Sequence, residues 1–345
     1  MSKKTIVFAI LALVVGITFS AYAEVQNVKV GGDLGVIGAT RSNLDFTKDA
    51  DADAWVGQAR VKIDAELTDN VGVTFRLLNE RVWGGTADDN SEEVDVDLAY
   101  VTMKEFLNDT VGFPWTVVVG RQNIQLGSGL LIGAAGTNKS NTTQLPAGLG
   151  DLSLSSAFDA IVNVMDFSPL TVTAAYVKAS EGAINEGKDS NVWALAGSFN
   201  LGEEYKNAVI EGAYVLDSTK KANIHNYDVR LVVSPLENLG VEAEYAYQTR
   251  LDLKPTLKKT KNADVIRLAA SLGLPDVAWA PTIGLDYARL SKYWNPMHEN
   301  WVPADLANAL FDNTNCQLIG ATVSAKPMDA LLLKLRYANL RAAKK

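Results

Sequence analysis

The chain has 345 residues, 48% hydrophobic and 21% charged, with 40 acidic against 32 basic side chains and a formal net charge of −8. That balance leaves no basic footprint for nucleic acid. Cys316 is the single cysteine, so an intrachain disulfide is excluded, and His225 and His298, the two histidines, are too far apart in sequence for a histidine-rich metal centre; neither metal nor cofactor is expected.

Residues 1–23 read as a secretory signal peptide. Lys3 and Lys4 form a positive start, Ile6 to Phe19 an apolar stretch, and Ala21-Tyr22-Ala23 a small-x-small cleavage site before Glu24. The apolar stretch is shorter than the roughly 20 residues a spanning helix needs. No other window approaches that length, so an exported chain of this kind ends in the periplasm, outside the cell, or in the outer membrane as a barrel. Residues 24–345 are expected to form one β-barrel domain.

The clearest pattern lies between Trp55 and Trp83. From Trp55 to Leu67 the odd positions are Trp, Gly, Ala, Val, Ile, Ala and Leu, whereas Gln58, Arg60, Lys62, Asp64 and Glu66 occupy even ones. This is the period of a two-faced strand. After a Thr68-Asp69-Asn70 turn, Val71, Val73, Phe75 and Leu77 continue one face and Thr74, Arg76 and Glu80 the other. The same alternation predicts strands over about 28–40, 53–67, 71–83, 93–104, 115–124, 156–166, 170–179, 191–201, 208–217, 225–233, 241–252, 263–274, 281–290, 316–325 and 330–341. Continuous apolar strands, which a soluble sandwich of this size needs at its centre, are few.

Short connections at 68–70, 167–169, 234–240, 275–280 and 326–329 alternate with mostly longer polar ones at 41–52, 84–92, 125–155, 180–190, 218–224, 253–262 and 291–315. Outer-membrane barrels have this asymmetry. Trp55, Trp83 and Trp193 fall near one predicted rim, and Phe106, Trp115, Phe199 and Trp279 near the other, as interfacial girdles require. The fold expected is therefore all-β: a transmembrane antiparallel up-and-down β-barrel of about 16 strands, in the range 14–18. Fifteen strands are odd where bacterial barrels are even, so the C-terminus is read as cut short, or a further strand as lying within 125–155.

Val119-Gly120-Arg121-Gln122, then Gly127, Leu131-Ile132-Gly133 and Phe158-Asp159-Ala160, form the most specific segment. It resembles the alginate export family of outer-membrane barrels, in which a GRQ strand leads into a Gly-rich loop and an FDA strand. The likeness covers residues 93–180 in detail and the rest in architecture. It implies a barrel passing a polar or charged solute, with a lumen lined by basic residues for an anionic polysaccharide. Two features depart from the family. Ser156-Ala157 stands where an arginine precedes FDA, and the basic residues Arg60, Lys62, Arg76, Arg230, Arg250, Arg267, Lys334 and Arg336 are balanced by Asp64, Glu66, Glu80, Asp95, Asp97, Glu211, Glu242 and Glu244.

Those charged residues are the expected pore lining. Parity groups Arg121 with Trp115, Val117 and Val119 on the lipid side; a bulge at Gly120 would turn it inward, and the cost of a lipid-facing arginine, about 2–4 kcal/mol at the midplane, favours an inward or rim position. The glycine-rich 125–155 connection is expected to fold into the lumen and narrow it; its GSGLLIG lacks the lysine of a phosphate-binding loop. Acidic clusters at Asp45–Asp53 and Asp88–Glu93 and the basic 258–261 run read as solvated loop charge, and 302–312 as a short helix. Expected partners are outer-membrane lipid and lipopolysaccharide and a small polar solute or polysaccharide, with the chain a monomer or trimer in a gram-negative outer membrane. The competing classes are an outer-membrane hydrolase, for which His225 has no serine two residues along its face, and a closed structural or adhesin barrel.

Overall fold

The computed structural model describes residues 27–41, 52–84, 94–133, 152–155, 157–180, 190–219, 223–250, 262–296, 298 and 314–343. The signal segment, the 88–93 and 258–261 clusters, most of the 45–53 cluster and the 302–312 helix lie outside them. Fifteen strands follow in order: β1 Asn27–Arg41, β2 Ala52–Thr68, β3 Val71–Val82, β4 Asp95–Met103, β5 Trp115–Gln122, β6 Phe158–Asp166, β7 Leu170–Ser180, β8 Ser190–Asn200, β9 Val209–Thr219, β10 Asn223–Leu236, β11 Leu239–Arg250, β12 Ala263–Gly273, β13 Thr282–Leu290, β14 Cys316–Met328 and β15 Leu331–Ala342. Each predicted strand is present with its ends moved by at most about three residues. A four-residue helix, α1 Asn108–Val111, and a 3₁₀ turn at Glu203–Tyr205 interrupt the strands.

All fifteen strands form one sheet in strict chain order, every neighbouring pair antiparallel. β1 and β15 run in the same direction and do not pair with each other, so the sheet is open between them. Connections after even strands include the tight turns Asp69-Asn70, Glu237-Asn238 and Asp329-Ala330. Those after odd strands are mostly longer; 220–222 between β9 and β10 is short, and 104–114 between β4 and β5 is long because it carries α1. One rim thus carries the turns and the other the loops.

Register assigns every residue a face. Arg60 pairs with Leu78 and Asp33, and Lys62 with Arg76 and Gly31, which places the charged set of β1–β3 together. Glu211–Arg230–Glu244–Arg267 forms a continuous lateral row across β9–β12. The other face is apolar and uncovered: Leu34, Leu285, Ile319 and Leu335 are all exposed. A soluble sheet hides such a surface; here it is turned outward on strand after strand. No described helix is long and apolar enough to cross a membrane, which leaves strand crossing untouched.

Aromatic side chains band this outward face at both rims. At the loop rim Trp55 stacks on Trp83 at 5.9 Å between centroids, and Tyr176 packs against Trp193 at 4.6 Å with its ring tilted by 50°. Phe106 meets Trp115 edge-on at 5.0 Å, with Phe199 and Trp279 exposed, at the turn rim. The expected girdles are in place.

Candidate functional site

The inner face divides into a charged belt and an apolar seat. In the belt, Arg230 reaches Glu211 at 2.6 Å and Glu242 at 3.0 Å. Arg267 bridges Glu242 at 2.9 Å and Glu244 at 3.1 Å. Arg336 of β15 spans to Asp286 of β13 at 2.9 Å and also donates to Thr322. On the other wall Arg60 holds Asp33 at 2.9 Å, Lys62 holds Asp64 at 2.9 Å and Arg76 holds Asp97 at 2.5 Å. Asp97 is able to turn inward beside Leu98 because the β3–β4 register shifts by one residue at Arg76/Leu77.

The apolar seat lies toward the loop rim. Ala160 and Val162 of β6, Val177 of β7, Val192 of β8, Val215 of β9 and Val265 of β12 point inward and are buried together. The segment after β5 covers them. Its Ile124, Leu126, Leu130, Leu131 and Ile132 join the same buried cluster, so the sequence LLI, which no strand uses, is matched to an apolar patch inside the sheet. The segment closes on itself through Leu126 N–H to Ile132 O, and Gly127 turns it with φ +54°.

Polar contacts fix this segment to two walls eight strands apart. Ser128 Oγ donates to Glu244 Oε1 at 2.5 Å on β11. On the returning limb, Ser153 Oγ and Leu154 N–H donate to the Glu80 carboxylate of β3 at 2.6 Å each. Gln58 Nε2 also donates to Glu80, at 2.7 Å, and to Leu152 O. Glu80 is 1% exposed and Glu244 3%. Two buried glutamates therefore serve as docking posts for the described ends of the 125–155 connection, as expected of a segment that folds inward.

A second stretch, residues 291–296 and 298, packs on the first. His298 and Ile132 form a parallel bridge, and Gly133 N–H donates to His298 O at 2.8 Å. Asn295 exchanges two hydrogen bonds with Gln248, and Trp294 is buried in the apolar cluster. Burial pushes the His298 imidazole below its usual value, against the pull of the Asp217 carboxylate 4.0 Å away. Neither imidazole nitrogen has a hydrogen-bond partner among the described residues.

Register puts Arg60, Lys62, Asp64, Glu66, Arg76, Glu80, Asp95, Asp97, Arg230, Glu242, Glu244, Arg267, Lys334 and Arg336 on the inner face. The backbone of Arg250 shares it through Ile224; its side chain lies outside the description. The bulge considered at Gly120 is absent. Gly120 pairs in unbroken register with Tyr100 and Ala160, and Arg121 stays on the outward face at the loop rim, 3.4 Å from Asp159. His225 accepts no serine: its Nδ1 lies 2.7 Å from the Tyr214 hydroxyl on the outward face. Ser128, Ser153, Gln58, Gln248 and His298, which organise the inner face, carry no charge alternation of their own; the only signal for the seat was valine or alanine at inward parity near strand ends, as in Val192 and Ala194.

No family model matches the chain, and no curated protein matches it by sequence. Solved structures match its fold. OpdO of Pseudomonas aeruginosa superposes with a TM-score of 0.59 at 15% identity, over 92% of this chain and 81% of that one. An anion-selective porin from Comamonas acidovorans gives 0.53 at 12% identity, over 92% and 90%. OmpT, an outer membrane protein of Vibrio cholerae in its trimer form, gives 0.50 at 12%, over 92% and 89%. With its unbroken up-and-down order, outward apolar face and inward segment after β5, the chain has the fold of a porin β-barrel.

Proposed function

We propose that this protein is an outer-membrane channel for passive passage of small polar or charged solutes. The observation that carries this reading is the segment after β5. It lies along the inner face on two buried posts, Glu244 and Glu80, and leaves open space over charged residues. A pocket of about 320 Å³ lies over Glu242, Arg267, Asp286 and Arg336, and another of about 310 Å³ at the turn rim lies over Lys29, Asp64, Glu66 and Lys104. The segment sets the bore and the belt sets what passes. The porin fold of the compared structures and the lipid-compatible outer face support an outer-membrane location, with the signal-like residues 1–23 supplying export.

Export of a polysaccharide is the reading favoured by the GRQ and FDA likeness to alginate exporters. It draws less support from the inner face, where each belt arginine is already held by a carboxylate. The experiment is single-channel recording of the purified, folded protein in a planar bilayer. Discrete conductance steps are expected, larger after deletion of residues 125–155. Absence of conductance in both forms refutes the channel.

A further inference from the structure

We propose that the channel prefers cations to anions. This rests on the diffusion-channel reading and gives its selectivity a sign. At mid-strand on β9–β13 the described inner face bears the carboxylates of Glu211, Glu242, Glu244 and Asp286, but the guanidinium groups of Arg230 and Arg267 alone. Arg336 arrives from β15 and is committed to Asp286. Arg230 and Arg267 each touch two carboxylates, and Glu242, bridging both, is more exposed at 30% than either arginine at 15% and 14%. A solute in the lumen meets the acid before the base.

Asp228, on the same face, is largely buried beside the carboxylates of Glu211 and Glu244 and is not counted among the fixed charges. It forms no ion pair among the described residues, and its Oδ1 lacks a hydrogen-bond partner there. It lines a pocket of about 170 Å³ directly beneath the inward turn, with Glu211, Gln125, Thr171, Thr173 and Ser198. The turn itself abuts the acids: a Cβ on Gly127 would stand 3.4 Å from Glu211 Oε2, and Ser128 donates to Glu244. The place where the segment narrows the lumen is thus walled by carboxylates and hydroxyls.

The opposite wall does not reverse the sign. Arg60 and Arg76 are neutralised by Asp33 and Asp97. The inward lysines Lys29, Lys62 and Lys334 sit nearer the turn-rim ends of their strands. Within a Debye length of about 10 Å at 0.1 M salt, an excess of one sign in a low-dielectric cleft concentrates counter-ions. Small metal cations and ammonium-bearing solutes fit this passage; carboxylates and phosphates do not. The fold alone carries no such sign, since it is shared with a porin named as anion-selective.

The test is the reversal potential of the wild-type channel in a planar bilayer under a KCl gradient. A potential of the cation-selective sign is expected, with K⁺ permeating several-fold faster than Cl⁻, and Glu242→Gln moving the ratio toward one. A reversal potential of zero or of the anion-selective sign overturns the inference while leaving the channel standing. No conductance at all overturns the channel reading, and this inference with it. The wild-type measurement decides the sign even if a variant fails to fold.

Discussion

Replacing Glu80 by alanine should release the returning limb of the inward segment. The carboxylate accepts Ser153 Oγ and Leu154 N–H from that limb, both at 2.6 Å, in a site 1% exposed. A hydrogen bond to a charged group contributes about 1.5–3 kcal/mol, so the two together hold the limb by about 3 kcal/mol at the low end. At 1.4 kcal/mol per decade, Glu80→Ala lowers the ratio of docked to undocked limb by about 100-fold. Ser128→Ala removes one bond at the other post, to Glu244, and lowers docking there by about tenfold. The posts share no partner, so the two effects should add in the double variant. Single-channel recording reads this as larger mean conductance and new current noise, greater for Glu80→Ala than for Ser128→Ala. Thiol labelling of Leu154→Cys reports the same release, because native Cys316 is fully buried. Unchanged conductance, noise and labelling in Glu80→Ala would refute the assignment of Glu80 as a docking post.

Three further outcomes follow from the same geometry. His298 has a folded pKa below its ordinary 6.5, so the undocked state takes up the proton first; docking of 291–296 and 298 on 123–133 is fully present above about pH 6.5 and weakens below it, by at most about 1.4 kcal/mol per pH unit. Acid-induced conductance changes that persist unaltered in His298→Phe would contradict this. Gly120→Ala should lower folded yield and the temperature at which the barrel loses its compact electrophoretic mobility. The backbone there has φ +124°, and a Cβ would stand 2.2 Å from Ala99 O, so strain of about 1–3 kcal/mol or more is expected. Arg267→Ala leaves Glu242 and the fully buried Glu244 side chain without a shared cation, and should cost about 3–5 kcal/mol, read by the same mobility assay against temperature.

Strand existence and face were legible because membrane-type alternation writes both in one period. Arg60, Lys62, Asp64 and Glu66 could be assigned an inward face from parity alone, and the structure places them there. What parity cannot express is the division of the inner face along its height. Val192 and Ala194 read as noise in an otherwise two-faced β8, yet they form the seat for Leu130 and Ile132. Asp97 needed a register shift in β4 to share its face with Leu98, and no residue there announces one. Docking posts are equally silent in sequence: Glu80 and Glu66 are alike until the returning limb, distant along the chain, chooses Glu80.

The GRQ and FDA pair shows what kind of information a short motif holds. Gly120, Arg121 and Gln122 are the ladder partners of Ala160, Asp159 and Phe158, so the two halves of the motif are one hydrogen-bonded stem. Gln122, 5% exposed, donates to Val118 O, Gly120 O and Ala160 O, closing the stem from inside. Arg121 and Asp159 clasp it from outside, and an exposed clasp of this kind is worth about 0–1 kcal/mol. Phe158, on the inner face, is buried among the residues that receive the segment. None of these side chains lines the pockets over the charged belt. The motif builds the base from which the described residues 123–133 leave the sheet and lie along its inner face. The motif therefore accounts for how the segment after β5 is seated, and the proposed selectivity rests on Glu242 and its neighbours.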